Sequence, residues 1–259
     1  MELGIGGKVA MIMAGSKGIG LATAKRLAEE GCRVSICSRS EEHLEAAVAE
    51  IGGDAYPYVC DVTNPADLEW WISTTVREVG APEILITNTG GPPAGRFTEM
   101  TDDQWRAGVD STLLNIVRMV RLVSPMMIEA KWGRIVHITS IVAKDPVPIL
   151  PISATLRAGI MALTKLQAHE FGPHGITVNG VLPGHTMTER QTHLAEVRAE
   201  RESRTPEEVL EEVAKDSPMG RLGTPDEIAA AITFLASAPA SYVSGVSLLV
   251  DGAASRGLG

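Results

Sequence analysis

Cysteine is scarce in this sequence, which has only three among its 259 residues. Cys32, Cys37 and Cys60 lie in apolar segments and show no paired spacing of the kind that zinc ligands require. We therefore predict no metal site and no disulfide framework. The three side chains are expected to be buried, reduced thiols.

Basic residues are also in deficit. The chain carries 23 Lys and Arg against 32 Asp and Glu, a formal net charge of -9. Affinity for nucleic acid comes largely from neutralising phosphates with Lys and Arg, so we expect no nucleic-acid partner. No apolar run approaches the roughly 18 residues of a membrane span, and no cationic leader with an apolar core opens the sequence. These absences predict a cytoplasmic protein without a membrane partner.

Seven short β-rich runs alternate with helical patterns along the chain. The runs are KVAMIMA, RVSICS, AYPYVC, EILIT, RIVHIT, ITVNGVL and SLLV. Such alternation predicts βαβ units and a parallel sheet. Within each run, both the odd and the even positions are largely apolar, which predicts helices over both faces of the sheet. Residues 1–259 are thus predicted to form one α/β domain, a Rossmann-like, doubly wound, seven-stranded parallel sheet.

A highly charged segment interrupts this pattern between Glu189 and Asp216. It is rich in charges of both signs and follows a central strand, at the end of the sheet where ligands bind in open α/β folds. We predict a helical lid over a pocket at about residues 186–218. A solvated helical insertion is the alternative.

A glycine-rich turn follows the first predicted strand and opens a helix. Without side chains at these positions, backbone N–H groups and the helix N-terminus can approach a pyrophosphate closely. A strand, a glycine turn and a helix in one βαβ unit predict a dinucleotide site. The predicted contacts in this turn are Gly15, Ser16, Lys17, Gly18, Ile19 and Gly20.

The residues after the second strand indicate which dinucleotide is bound. Ser38 occupies the position where an acidic residue would bind the 2′-hydroxyl of NAD, and Arg39 follows it. With Lys17, Arg39 places two cations near the adenosine ribose, where NADP carries its 2′-phosphate. NADP(H) is therefore favoured over NAD(H), and ordinary surface charge is the alternative for both cations.

Taken together, these motifs resemble the short-chain dehydrogenase/reductase family over essentially the whole chain. The family's cofactor turn, Thr-Gly-x-x-x-Gly-x-Gly, falls on Met13, Ala14, Gly18 and Gly20. The first two residues depart from that pattern, so Gly15 is expected to supply the flexibility one residue later.

Four further segments carry the resemblance: DVT, NTGGPP, GITVNGVLPGHTMT and SYVSGVSLLVDGA. In the family, these segments contact the adenine, the nicotinamide and its carboxamide, or form the closing strand. The cofactor contacts that the resemblance implies here are Asp61, Val62, Asn88, Gly90, Pro183, Gly184 and Thr188.

The catalytic positions of the family are largely replaced. Its proton-transferring tyrosine falls on Ser153, its ribose-binding lysine on Arg157 and its asparagine on Thr112, while its serine is kept as Ser140. We expect Ser140 to donate to a substrate oxygen on which negative charge develops. Capping of a strand end is the alternative role for that hydroxyl.

The replacements change what the site can do. An aliphatic hydroxyl is a far weaker acid than a phenol with a pKa of roughly 10, so Ser153 can hold a water but cannot replace tyrosine as a proton donor. Arg157 can bind the ribose and supply a fixed positive charge, but it stays protonated and cannot relay a proton.

A histidine is the first candidate for a new proton donor. His185 directly follows Pro183-Gly184, and an imidazole with a pKa of roughly 6.5 suits acid catalysis at neutral pH. A loop histidine in solvent or against the lid is the alternative. His137 has the opposite strand parity to Ser140 and is expected to be structural. The predicted catalytic residues are Ser140, Ser153, Arg157 and His185.

We predict an NADP(H)-dependent oxidoreductase that transfers hydride to or from a small carbonyl, alcohol or imine compound through a non-standard proton path. The alternative is a catalytically silent NADP-binding sensor or partner subunit. Arginine in place of lysine also resembles halohydrin dehalogenases, but these keep the tyrosine and lose the nucleotide-binding glycines, so a dehalogenase or lyase ranks below both.

The resemblance also implies a homo-oligomer, either a dimer or a tetramer. Family members commonly pair the two helices predicted here from about Trp105 to Lys131 and from Ser153 to Phe171. Both carry apolar faces, RMVRLVSPMMI and LRAGIMALTKLQAHEF. Packing of these faces within one chain is the alternative.

Overall fold

The computed structural model describes residues 2–257 and confirms the seven-stranded parallel sheet. The strands are β1 (Val9–Ile12), β2 (Arg33–Ser38), β3 (Ala55–Val59), β4 (Ile84–Thr87), β5 (Gly133–Ile138), β6 (Ile176–Pro183) and β7 (Ser247–Val250). Their order across the sheet is β3-β2-β1-β4-β5-β6-β7, with every neighbouring pair parallel. The sheet is therefore doubly wound about β1 and β4.

Helices cover both faces of this sheet. They are α1 (Gly18–Glu29), α2 (Glu41–Ile51), α3 (Pro65–Glu78), α4 (Asp102–Val109), α5 (Asn115–Ala130), α6 (Pro151–Phe171), α7 (Glu189–Glu202), α8 (Pro206–Asp216) and α9 (Pro225–Leu235). Helices α7 and α8 occupy the charged segment that was predicted to be helical.

Alternate residues of the central strands enter two separate cores. Ile12 packs on one side of the sheet with Leu27 and Ile232, whereas Met11 packs on the other side with Trp71. Successive strand side chains point to opposite faces, so a strand covered on both sides must be apolar throughout. The three cysteines are buried free thiols, as predicted.

The order of the strands brings two loops together. From β1 the chain runs outward through β2 to β3 and then crosses back to β4 on the other side of β1. The loops after β1 and β4 therefore leave the same edge of the sheet and lead to opposite faces. Ligands in open α/β sheets bind at such a switch point. The glycine turn after β1 and the Asn88–Gly90 segment after β4 therefore face each other.

The long helix predicted from about Trp105 is interrupted. Between α4 and α5 the backbone forms a π-helical turn, Asp110–Leu114, of the kind found at functional sites. The Asn115 side chain bonds across this turn, donating to the Ser111 carbonyl at 2.7 Å. Thr112 is fully buried in the turn, and its hydroxyl lacks a hydrogen-bond partner within residues 2–257.

One helical stretch in the described part of the chain, Asp102–Ala130, is long and apolar enough to cross a membrane by length and composition alone. A helix in a protein core meets the same criterion. Met119, Val123 and Met127 of this stretch are fully buried against the sheet, so its apolar face packs inside the domain.

Helix α6 leaves part of its apolar surface in contact with solvent. Leu166 is 67% exposed on this helix. Phe97, which lies beside the first turns of α6, is 69% exposed. The pairing of such helices between subunits stays a prediction.

His137 lies in β5 with its ring buried in the protein. Its Nδ1 lies 2.8 Å from Thr87 Oγ1 and its Nε2 lies 2.8 Å from Gln167 Oε1. Burial lowers the pKa of this imidazole to about 4, although the hydrogen bond to Gln167 opposes that shift. The side chain is therefore a neutral bridge between β4, β5 and α6, the structural role that its parity predicts.

This neutral histidine should make stability depend on pH. Its folded pKa lies below the unfolded value of about 6.5, so the unfolded chain binds more protons between pH 6.5 and pH 4. The contribution to stability is complete above about pH 6.5 and is lost as the pH falls towards 4. Urea titrations should show that the free energy of unfolding falls less between pH 6.5 and pH 4 for His137→Gln than for wild type. The difference should reach up to about 3 kcal/mol.

The control is His174→Gln, because His174 is exposed at the end of α6. This variant should follow the wild-type pH dependence. Parallel curves for wild type and His137→Gln would show that His137 is not held neutral.

Candidate functional site

A cavity of about 370 Å³ opens at the carboxyl ends of the central strands. It brings together residues from the glycine turn, from the loops after β4 and β5, from α6 and from the loop after β6. The predicted site residues that line it are Lys17, Gly18, Ile19, Asn88, Gly90, Ser140, Ser153, Arg157, Pro183, Gly184 and Thr188.

The glycine turn corrects one prediction. Ala14 itself adopts the left-handed conformation, with φ of 47°, and Gly15 does not have a positive φ. Gly15 is needed for space instead, since a Cβ there would lie 2.8 Å from Ile36 Cγ2. Ala14 therefore holds a left-handed backbone at the modest energetic cost of a residue that carries a side chain.

Gly20 is the most tightly enclosed glycine of the turn. A Cβ on it would overlap the Ala14 carbonyl oxygen and lie 2.8 Å from Asn88 Nδ2. Asn88 Nδ2 in turn donates to that same carbonyl at 3.2 Å. This contact joins the glycine turn to the loop after β4 and fixes the floor of the cavity.

The N-terminus of α1 is suited to an anion. Lys17 is the N-cap residue, and its side chain makes no capping hydrogen bond. The first N–H groups of the helix therefore lack a side-chain acceptor within the described chain, and Gly18 and Ile19 line the cavity. Unpaired N–H groups and the positive end of the helix dipole fit a pyrophosphate.

The predicted 2′-phosphate contacts are partly engaged elsewhere. Lys17 Nζ lies 2.9 Å from Glu189 Oε1, at the start of α7. Arg39 is exposed, and it lies near Asp61. Hydrogen bonds from Thr63, and more weakly the charge of Arg39, lower the pKa of the Asp61 carboxyl. Of the two predicted cations, Arg39 is thus exposed to solvent and Lys17 is paired with the start of α7.

The remaining predicted residues of the adenine side and the turn lie beside the cavity. Ser16 is buried within the turn and Val62 is half-buried after β3. Thr188 caps α7 by accepting from Gln191 N at 3.3 Å, so its position at the cavity wall is fixed by the helix that it begins.

Ser153 and Arg157 form one buried unit on the first turns of α6. Arg157 Nε donates to Ser153 Oγ at 3.2 Å, and Nη1 donates to the carbonyls of Ile138 and Thr139 at 3.2 and 2.7 Å. Burial, and then the charge of Arg190, lower the pKa of Arg157 to about 10. The guanidinium therefore remains charged at neutral pH and is fixed against the end of β5.

Ser140 stands at the end of β5 and belongs to two cavities. Its Oγ accepts from Val142 N at 3.3 Å, so it caps the short helical turn Ile141–Ala143. It also lines both the first cavity and a neighbouring one of about 690 Å³. Since the cap uses the oxygen as an acceptor, the hydroxyl hydrogen is still free to donate to a ligand.

His185 faces the second cavity. Its Nε2 lies 3.9 Å from Asp216 Oδ2, at the end of α8. It shares the second cavity with Ser140, whereas Ser153 and Arg157 line only the first. The structure therefore joins three of the predicted catalytic residues and separates the fourth from the Ser153–Arg157 unit.

Several cavity residues were not predicted from the sequence. The most important is Arg190, whose Nη2 donates to the Pro92 carbonyl at 2.7 Å and whose partial burial lowers its pKa. Thr89 is buried in the wall, and its hydroxyl lacks a partner within residues 2–257. Gln191 and Leu194 also reach the cavity from α7. The signal available in the sequence was the helical spacing of Arg190, Gln191 and Leu194, which follow Thr188.

Comparisons with known proteins identify the family of this chain. The family model described as Enoyl-(Acyl carrier protein) reductase matches residues 13–255. The short-chain reductase protein NovJ of Streptomyces niveus is 36% identical over 248 residues, covering 94% of this chain and 92% of the relative. The 3-oxoacyl-[acyl-carrier-protein] reductase FabG of Vibrio cholerae is 33% identical over 246 residues, covering 95% and 96%.

Solved structures show the same fold. Actinorhodin polyketide ketoreductase with NADPH superposes with a TM-score of 0.93 at 30% identity, covering 96% of this chain and 98% of that one. L-sorbose reductase from Gluconobacter frateurii, complexed with NADPH and L-sorbose, gives 0.94 at 29% identity over 100% of both chains. From its sequence motifs, sheet order and these matches, the chain belongs to the short-chain dehydrogenase/reductase family.

Proposed function

We propose that the protein is an NADP(H)-dependent oxidoreductase that transfers hydride between the cofactor and a small carbonyl, alcohol or imine compound. The observation that carries the proposal is that the glycine turn and the Ser140–Ser153–Arg157 group open into one cavity. The NADPH present in both solved relatives supports the choice of cofactor.

Binding is assigned to the two ends of the cavity. The free N–H groups of α1 and the enclosed glycines hold the pyrophosphate, and Arg39 and Lys17 hold the 2′-phosphate. Glu189 competes for Lys17, but both side chains are substantially exposed, 74% and 42%, so this ion pair is weak and replaceable by a phosphate. Cofactor binding would then release α7 from the glycine turn, which gives residues 186–218 the role of a lid.

The bound nicotinamide supplies or accepts the hydride. Ser140 donates its hydroxyl hydrogen to the substrate oxygen, and the fixed charge of Arg157 stabilises negative charge that develops there. Ser153 Oγ accepts from Arg157 Nε, so its own hydrogen is free to orient a water as the proton source. This route ranks above His185, which lines the neighbouring cavity.

A silent NADP-binding role is the second candidate. Within residues 2–257, all three hydrogen bonds of the Arg157 side chain go to other groups of the protein. A purely structural arginine would make the same bonds. On this account the cavity binds nucleotide tightly and transfers no hydride.

The cofactor assignment is tested by fluorescence titration with NADPH and NADH. Because Arg39 is exposed and poised for a phosphate, NADPH should bind at least about tenfold more tightly, and Arg39→Glu should remove that preference. Arg77→Glu, an exposed position on α3, should leave it unchanged. Equal affinities for the two nucleotides in the wild type would contradict the NADP(H) assignment.

A further inference from the structure

Two arginines that form no salt bridge within residues 2–257 line the wall of the first cavity. Arg157 reaches it from α6 and Arg190 from α7. No acidic group contributes to the pKa of either guanidinium, and the charge of Arg190 is felt by Arg157. Like charges held together in a partly buried site are unfavourable unless an anion joins them.

The other charges of this cavity neutralise one another. Its remaining charged lining residues are Lys17 and Glu189, which form an ion pair at 2.9 Å. The arginine pair thus leaves the wall of this cavity with two uncompensated positive charges.

Both guanidiniums keep donors for a ligand. Arg157 is buried, with a relative exposure of 7%, and its Nη2 makes no hydrogen bond within residues 2–257. Arg190 uses Nη2 for the Pro92 carbonyl, which leaves Nε and Nη1 without partners in the same range. Gly91 makes room for this side chain, since a Cβ there would lie 3.0 Å from Arg190 Nη2.

The pair also lines the same cavity as Ser140, to which the proposed function assigns the substrate oxygen. Arg157 Nη1 donates to the carbonyl of Thr139, the residue immediately before Ser140. A ligand held by both guanidiniums would therefore have its anionic group close to the oxygen that accepts from Ser140. A carboxylate attached to the carbonyl carbon has this arrangement.

We propose that Arg157 and Arg190 form a carboxylate site and that the substrates are 2-oxo acids or the corresponding 2-hydroxy acids. This inference rests on the proposed function, because it names the substrate class of that site. The second cavity, with Ile149, Val142 and Val209 among its lining, would take the rest of the molecule. A 2′-phosphate or pyrophosphate of the cofactor is the other source of negative charge, and the experiment separates the two.

The test measures binding of benzoylformate and of its methyl ester to the protein saturated with NADP⁺, by calorimetry. The acid should bind at least about tenfold more tightly than the ester, since a charge-assisted hydrogen bond is roughly twice as strong as a neutral one. Arg190→Met should reduce the affinity for the acid to that for the ester. Arg77→Met, at an exposed position on α3, should change neither.

Three results would overturn the carboxylate site. The acid and the ester could bind equally, or Arg190→Met could leave the preference intact. The variant could also weaken NADP⁺ binding while the acid has no advantage, which would assign the pair to a cofactor phosphate. If NADP⁺ itself fails to bind, the proposed function is wrong. The ratio of the affinities for the acid and the ester, measured without nucleotide, then still tests the carboxylate site.

Discussion

Replacing Gly20 by alanine should weaken NADPH binding by about 10- to 100-fold. The added Cβ would overlap the Ala14 carbonyl oxygen and crowd Asn88 Nδ2 at 2.8 Å. Ala14 already has a left-handed backbone, and Asn88 is tied to the same carbonyl, so neither neighbour can move without opening the floor of the cavity. Forcing extra atoms into such packing costs about 1–3 kcal/mol. Fluorescence titration with NADPH gives the change directly.

The matched control is Gly172→Ala at the end of α6. This glycine has φ of -52° and ψ of -43°, and a Cβ on it meets no atom within 4 Å. Its NADPH affinity should equal that of the wild type. If Gly20→Ala folds with the wild-type melting temperature and binds NADPH normally, the glycine turn is not the nucleotide site.

Restoring the family's tyrosine and lysine should increase the reduction of simple ketones by about 10²- to 10⁴-fold, the usual contribution of a positioned general acid. The change is the double variant Ser153→Tyr with Arg157→Lys. In the wild type, neither hydroxyl nor guanidinium of this unit is an acid of suitable pKa near neutrality. The rate of NADPH oxidation with an uncharged aryl ketone measures the gain.

The single variants separate the two contributions. Arg157→Lys alone keeps the charge but loses the bonds to Ser153, Ile138 and Thr139, so it should lower stability without raising the ketone rate. Ser153→Tyr alone places a phenol beside a guanidinium that keeps its proton at neutral pH and cannot relay one. A folded double variant that binds NADPH and reduces ketones no faster than the wild type would refute the idea that the missing phenol limits this reaction.

Features that depend on residues close together in the chain were predictable from the sequence. The alternation of apolar runs with helical patterns gave the seven strands, because the period of burial is visible within a few residues. The strand, turn and helix around Gly18 gave the nucleotide end for the same reason. The parity of His137 relative to Ser140 correctly separated a structural side chain from a cavity residue.

Contacts between distant parts of the chain were not predictable. The Lys17–Glu189 pair joins residues 172 positions apart, and Arg190 reaches Pro92 across 98 positions. Sequence spacing does not specify such pairs, because they depend on how α7 packs over the sheet. The positive φ at Ala14 likewise depends on its surroundings, which is why Gly15 was the wrong choice for that conformation.

Hydride transfer itself is the central claim, and one labelling experiment tests it directly. The protein is incubated with NADPH that carries deuterium at both positions of nicotinamide C4 and with a panel of 2-oxo acids, ketones and cyclic imines, and the products are analysed by mass spectrometry. We expect one deuterium on the former carbonyl carbon of a 2-oxo acid, with NADPH oxidised in equal amount. Tight NADPH binding without deuterium in any product would contradict the account and establish the silent nucleotide-binding role.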